Sequence, residues 1–336
     1  MDSHLYKKLK LDLRSLILVW AFAESGIGGF LHAFRLPFTG IIVGGIAVIC
    51  ISLIGYYKAE NKNEILEAMS IVLLTKLAIS PHSPWQAYIA VIFQGYLGYL
   101  IFKSNDYFNI KVLIFAIICL IESAIQKVLI AFLIFGNKFM LSIDQAAMSV
   151  SKSLGFSNDI SIVKTVFAIY LLSHLLAGLI IGLWLPKIPS QLDHFKMNMP
   201  APEYYVKTQS QPSKRKSKIF ISTLILFICV LMALKWLLPD VKSIELVWIF
   251  VRSITISLIL IFIISPLVRN FIKNKWTVNS GNQAVFQSTL TEIPLFSQKA
   301  LSWMQYVNRY HGGLSKVKYF VLGLLVISGS SENENG

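Results

Sequence analysis

Six polar residues stand inside long apolar runs of this chain: Glu24, Lys76, Gln94, Glu122, Gln126 and His174. A charged side chain at the centre of a bilayer is expensive unless it is paired or lines a cavity, so such positions mark packing locks or functional sites. Glu24 is the sharpest case. It lies within SLILVWAFAESGIGGFLHAFRLPFTG, from Ser15 to Gly40, where Glu24, Gly28, His32 and Arg35 share one helix face. Ala21, Ser25 and Gly29 recur beside it at four-residue spacing, small enough for another helix to approach closely. Glu122 has Gln126 one turn on and Lys127 beside it. It reads either as an interhelical hydrogen-bond pair or as a carboxylate paired with a cation such as Lys76 or Lys127. His174 precedes Gly178 and Gly182, and Gln94 neighbours Gly95 and Gly98, so both suit a helix seam as neutral hydrogen-bonding groups.

Cations form a second pattern. Arg35, Lys76, His82, Lys127, Lys138 and Lys164 fall in the outer half of the topology derived below, where the positive-inside rule gives no reason for them. Asp144 and Asp159 are the main acids on that side. The excess fits a vestibule that captures an anionic or carboxylate-bearing solute. Snorkelling of Lys76 and Lys164 from helix ends produces the same tally.

The elements that must position these groups are helices in a membrane. Of 336 residues 55% are hydrophobic and 14% charged, and the mean hydropathy is +0.64. Apolar runs of roughly 17–25 residues recur from end to end, the length needed to cross a bilayer. Spans are expected near 15–35, 38–57, 64–80, 85–102, 110–135 and 160–186, then at 219–238 and 245–268. Lys7, Lys8, Lys10 and Arg14 precede the first span and place the N-terminus inside; alternation puts the C-terminus there too. The formal charge of +14 gathers on that inner side, notably at Lys214-Arg215-Lys216-Ser217-Lys218, so no nucleic-acid partner is needed to explain it. The first segment shows no small-residue cleavage site before the next span, which argues against a cleavable signal peptide. Cys50, Cys119 and Cys229 lie in apolar runs with neither metal spacing nor a disulfide framework.

These readings divide the chain into a six-span membrane domain (1–187), a basic Pro-containing cytoplasmic linker (188–218), a two-span segment (219–272) and a cytoplasmic region (273–336). The linker's Pro189, Pro200, Pro202 and Pro212 imply a semi-extended connector. Thr277–Thr291 reads as irregular. From Ser297 an amphipathic helix follows, with Phe296, Ala300, Trp303, Met304 and Val307 on one face, suited to the inner membrane surface or to a cytoplasmic partner. Tyr319–Ser328 is apolar but short for a span, and SSENENG is expected to be disordered. No P-loop, H-E-x-x-H, G-x-S-x-G or Asp cluster with metal-ligand spacing occurs, and no metal or cofactor is implied.

The first six spans resemble the substrate-binding S components of energy-coupling factor (ECF) vitamin transporters. The likeness rests on six spans with both ends inside and on small residues at four-residue spacing in the first helix. It also rests on the turn His32-Ala33-Phe34-Arg35-Leu36-Pro37-Phe38-Thr39-Gly40 leading into Gly44-Gly45, and on Ser80-Pro81-His82-Ser83-Pro84 followed by Ala87-Tyr88 and Gln94-Gly95. The resemblance covers about 190 residues. It implies a six-helix bundle that binds a small solute beneath its outer loops, bordered here by Arg35, His82 and Gln86, with His32, Lys127 and Lys164 as further candidates. It also implies that Ala21, Ser25 and Gly29 face a transmembrane T component, with ATPase subunits as further partners. The last third departs from a minimal S component; its Asn308-Arg309-Tyr310 only faintly resembles the arginine-centred triplets of a T component. Two other classes stay open on the residues alone. One is a membrane enzyme acting on lipid or isoprenoid, with Glu24, His32 and Glu122 as acid–base groups. The other is a non-transporting scaffold in which the buried polar residues lock helices.

Overall fold

The computed structural model describes residues 12–33, 38–57, 63–81, 83–104, 106–153, 161–200, 232, 243–275 and 283–329. Among them every regular element is helical. The first begins after Asp12, whose extended backbone (φ −72°, ψ 148°) stops the helix N-terminally. Helix α1 (Leu13–Phe22) passes through a π turn (Ala23–Ile27) into α2 (Gly28–Ala33) without a break. A π turn widens the ladder by one residue and is common where a helix serves a site. Here it carries Glu24 and Ser25.

Helix α3 (Thr39–Tyr57) is apolar on all sides and is buried from Val43 to Ile54. Helix α4 (Glu64–Ile79) has Glu64 and Glu67 in its first turn and Lys76 in its last, the arrangement its dipole favours. Pro84, held at φ −61° and ψ 145°, sets the entry to α5 (Trp85–Ile101). Helix α6 (Phe108–Ser153) is broken at Gly136, whose φ of 75° and ψ of 167° leave the helical region. Helix α7 (Ile162–Trp184) leads through a short 3-10 turn (Leu185–Lys187) into α8 (Ile188–Asn198). Then come α9 (Ser243–Ile259), a second π turn (Leu260–Ile264), α10 (Ser265–Lys275), α11 (Gln283–Tyr310) and α12 (Gly313–Gly329).

Among the described residues four helices are long and apolar enough to cross a membrane: Thr39–Tyr57, Phe108–Lys152, Ile162–Leu192 and Phe250–Lys275. On α7 the exposed residues Val166, Ile169, Leu172, Leu176, Ile180 and Leu183 form one stripe, while His174, Gly178 and Gly182 are buried opposite. An exposed apolar stripe of that length has a bilayer as its natural solvent. Among the described residues the structure is all-helical, with four helices suited to a membrane.

The chain forms two compact units. The first comprises 1–123, 174–209 and 267–336. Its centre is α1, buried from Ser15 to Phe22 and packed on α3, α4, α11 and α12. Phe22 meets Phe296 of α11 edge to face at 5.1 Å. Ser15 Oγ donates to the Ser328 carbonyl at 3.2 Å, and Arg14 pairs with Glu292 at 2.9 Å. Trp303 donates its indole N–H to the Tyr319 carbonyl at 3.2 Å and stands edge-on to Phe195 of α8. Gly178 and Gly182 let α7 touch α6 backbone to backbone: a Cβ at Gly178 would lie 3.0 Å from Ile117 Cα.

The second unit comprises 124–173 and 210–266. Phe139, Met140 and Ala146 form its small core, with Phe135, Val163 and Phe167 against them. Asp144 accepts hydrogen bonds from Ser161 Oγ (2.5 Å) and the Val163 amide (2.9 Å), so a carboxylate from α6 caps the start of α7.

Three expectations change. Residues 188–198 of the expected linker are helix α8, because Pro189 falls in the first turn, where a missing N–H costs nothing. The expected irregular stretch 277–291 is helical from Gln283 onward. The apolar face of the C-terminal amphipathic helix does not lie on lipid. Phe296, Ala300, Trp303 and Val307 are buried within the first unit, and Met304 is exposed. The expected span 219–238, apart from Met232, lies outside the described residues, as do the tail 330–336 and Cys229.

Candidate functional site

The polar groups of the first unit gather around the π turn. Glu24 Oε2 and Lys76 Nζ are 2.5 Å apart, with side-chain exposures of 5% and 0%. The π turn delivers the carboxylate and the last turn of α4 delivers the ammonium. Tyr88 of α5 places its ring centroid 5.9 Å from Nζ and donates its hydroxyl to the Ser80 carbonyl at 3.2 Å. The hydroxyls of Ser80 and Ser83 bond each other at 2.9 Å. Gly29 admits this turn closely, since a Cβ there would lie 3.0 Å from Ser80 Oγ. The buried hydroxyls of Ser25 and Thr75, each adjacent in sequence to a member of the ion pair, have no hydrogen-bond partner among the described residues.

A second polar group lies along α3. A Cβ at Gly40 would overlap Ser123 Oγ and sit 3.6 Å from His174 Nε2. One turn on, a Cβ at Gly44 would stand 3.4 Å from Gln94 Nε2. His174 and Gln94 are buried, and the Gln94 carbonyl oxygen has no partner among the described residues. Phe38 lies tilted over His174, with centroids 6.5 Å apart. Gly28, at the end of the π turn, abuts Val43, the neighbour of Gly44. Both polar groups therefore border the same stretch of α3. Together they offer a neutralised ion pair and several uncharged hydrogen-bonding groups, a set that can orient a polar ligand or lock helices.

The structure sorts the candidates named from sequence. Lys76 does not snorkel and does not pair with Glu122; its partner is Glu24. Its charge is thereby matched and leaves the expected cationic vestibule. Gln94 and His174 both border α3, at Gly44 and Gly40 respectively. Gln86 is half-buried on α5, its carbonyl oxygen without a partner among the described residues. Glu122 is half-buried in the first unit, and Gln126 and Lys127 are half-buried in the second. Lys164, also in the second unit, is exposed, and its amide donates to Ser161 Oγ at 3.1 Å. Arg35 and His82 lie outside the described residues, as does the His32 side chain.

Ala21 and Ser25 are buried and Gly29 half-buried inside the chain's own bundle. The seam expected to face a T component is occupied by the chain itself. Sequence reasoning did not single out Ser123 or Tyr88 as site residues. A serine or tyrosine in an apolar run is too ordinary a signal; only the opposing Gly40 and Lys76 give each one meaning.

No protein-family model, no curated protein and no solved structure matches this chain.

Proposed function

We propose that the chain is a membrane transport component of the S-component type. It captures a small, anionic or carboxylate-bearing, vitamin-like solute at the outer face for uptake powered by partner ATPase subunits. The observation that carries this reading is the buried Glu24–Lys76 pair in a π turn, beside the Gln94–His174–Ser123 group on the glycine face of α3. Helix-locking alone does not call for a π turn at the charge, whereas sites recurrently do. Phe38 lies over His174 and is followed by Gly40 and Gly44 of α3, and Arg35 precedes Phe38 by three residues in the sequence. The six-helix S-component-like bundle plus two further transmembrane helices is part of the proposal. Because α11 and α12 cover α1, a T component would have to dock on another face.

The test is calorimetry on the purified full chain with a panel of vitamins and their neutral analogues. An anionic member should bind saturably. Arg35→Gln should weaken it roughly ten- to a hundred-fold, the worth of one charge-assisted hydrogen bond. Arg35→Lys should recover only part, since an ammonium lacks the bidentate fork. Equal affinity for neutral and anionic members, or wild-type binding by Arg35→Gln, refutes the anionic site. Turnover of a substrate without any ATPase would assign the chain to the enzymes.

One observation favours a second reading. Glu24 and Lys76 satisfy each other, as a pure helix lock would, and this fits a non-transporting scaffold. Full uptake phenotype in the Glu24→Gln/Lys76→Met double variant would favour it.

A further inference from the structure

The second unit carries a cation that nothing above uses. Arg252 lies in α9 (Ser243–Ile259), within a stretch apolar enough to cross a membrane, and its guanidinium rests against Gly136, the break in α6. The backbone there calls for glycine, and the Arg252 guanidinium occupies the space beside it. Its φ is +75°, and a Cβ would overlap Arg252 Nη1. Ser253 Oγ donates to the Ile134 carbonyl at 3.2 Å, which ties α9 to α6 at this level.

Arg252 is exposed and has no carboxylate partner among the described residues. Lys138, two residues beyond the break, is exposed as well. Asp144, the acid whose side chain is described in this unit, is engaged by Ser161 and Val163. The flanking surface is apolar: Trp248, one turn before Arg252, is 68% exposed, and Val251, Phe132 and Leu133 are exposed too.

We propose that Arg252, seated in the Gly136 notch, binds the phosphate of an anionic phospholipid. A guanidinium presents two parallel N–H donors that match phosphate oxygens. A long cationic side chain on an apolar helix, with no carboxylate beside it among the described residues, reaches toward the headgroups and is stabilised by an anion there. The exposed Trp248, Val251 and Leu133 supply what a soluble anion cannot use, an apolar surface for acyl chains and an interfacial aromatic. Lys138, exposed two residues beyond Gly136, adds a second positive charge near the break.

The experiment uses the full chain in phosphatidylcholine micelles, to which phosphatidylglycerol, more phosphatidylcholine or inorganic phosphate is added. Lipid retention is read by native mass spectrometry and stability by the melting temperature. Wild type should retain phosphatidylglycerol over phosphatidylcholine and melt higher with it, and inorganic phosphate should do nothing. R252Q should lower the preference roughly ten-fold, the loss of one charge-assisted contact. R252K keeps the charge but not the fork and should lose a clear part of it, which keeps the test decisive if R252Q does not accumulate. Equal retention of the two lipids, or an unchanged preference in R252Q or R252K, overturns the proposal. A melting shift produced by inorganic phosphate and abolished by R252Q assigns the notch to a soluble anion and overturns the lipid.

Discussion

Replacing Lys76 by methionine deletes an ammonium while keeping most of the side chain's volume, and it leaves Glu24 as an uncompensated carboxylate that is 5% exposed. Breaking a buried ion pair from one side costs about 3–5 kcal/mol, because the surviving charge keeps its desolvation penalty and loses its partner. Against a total stability of about 5–15 kcal/mol that is a large share. The lost cation–π contact with Tyr88 at 5.9 Å adds at most about 0.5–2 kcal/mol. Glu24→Gln strands the ammonium instead and should cost a similar amount. The double variant Glu24→Gln/Lys76→Met removes both charges, so its cost should fall well below the sum of the singles and no higher than either single alone. Reversible unfolding in mixed micelles measures all four corners of this cycle. Singles that cost under about 1 kcal/mol would show that water reaches the pair and that it behaves like a surface bridge. A double variant as damaging as the sum would show that the two side chains act independently. Either result refutes a sealed pair.

Two further outcomes follow from close packing. Ala21→Leu inserts a large side chain where α1 is fully enclosed, so it should destabilise the chain itself by about 1–3 kcal/mol; normal stability with lost uptake would mean that this face is open to a separate partner. Gly40→Ala should be damaging by a similar margin, since its Cβ meets Ser123 Oγ, and adding Ser123→Ala should restore much of the melting temperature; no rescue would separate Gly40 from Ser123.

Hydropathy alone determined that this chain belongs in a bilayer, since runs such as Thr39–Tyr57 can be satisfied there and hardly elsewhere. Local chemistry also carried far. The glycine spacing at Gly178 and Gly182 predicts a close helix seam, and that is where α7 meets α6. The apolar face of α11 was legible too, from its spacing. What covers that face was not. Lipid and protein interiors are equally apolar, so a hydrophobic stripe looks the same whether it meets acyl chains or another helix. For Phe296, Ala300, Trp303 and Val307 the tertiary structure decided for protein, with α1 as neighbour. The pairing of Lys76 was hidden for a related reason. On charge grounds the sequence offered Glu122 or the water beyond the helix end, not Glu24. The choice fell to a contact between residues 52 apart in sequence, set by how α1 and α4 pack and by the π turn that brings the carboxylate round. Arg252 shows the same division. Its charge is plain in the sequence, but only the break at Gly136 gives it a seat.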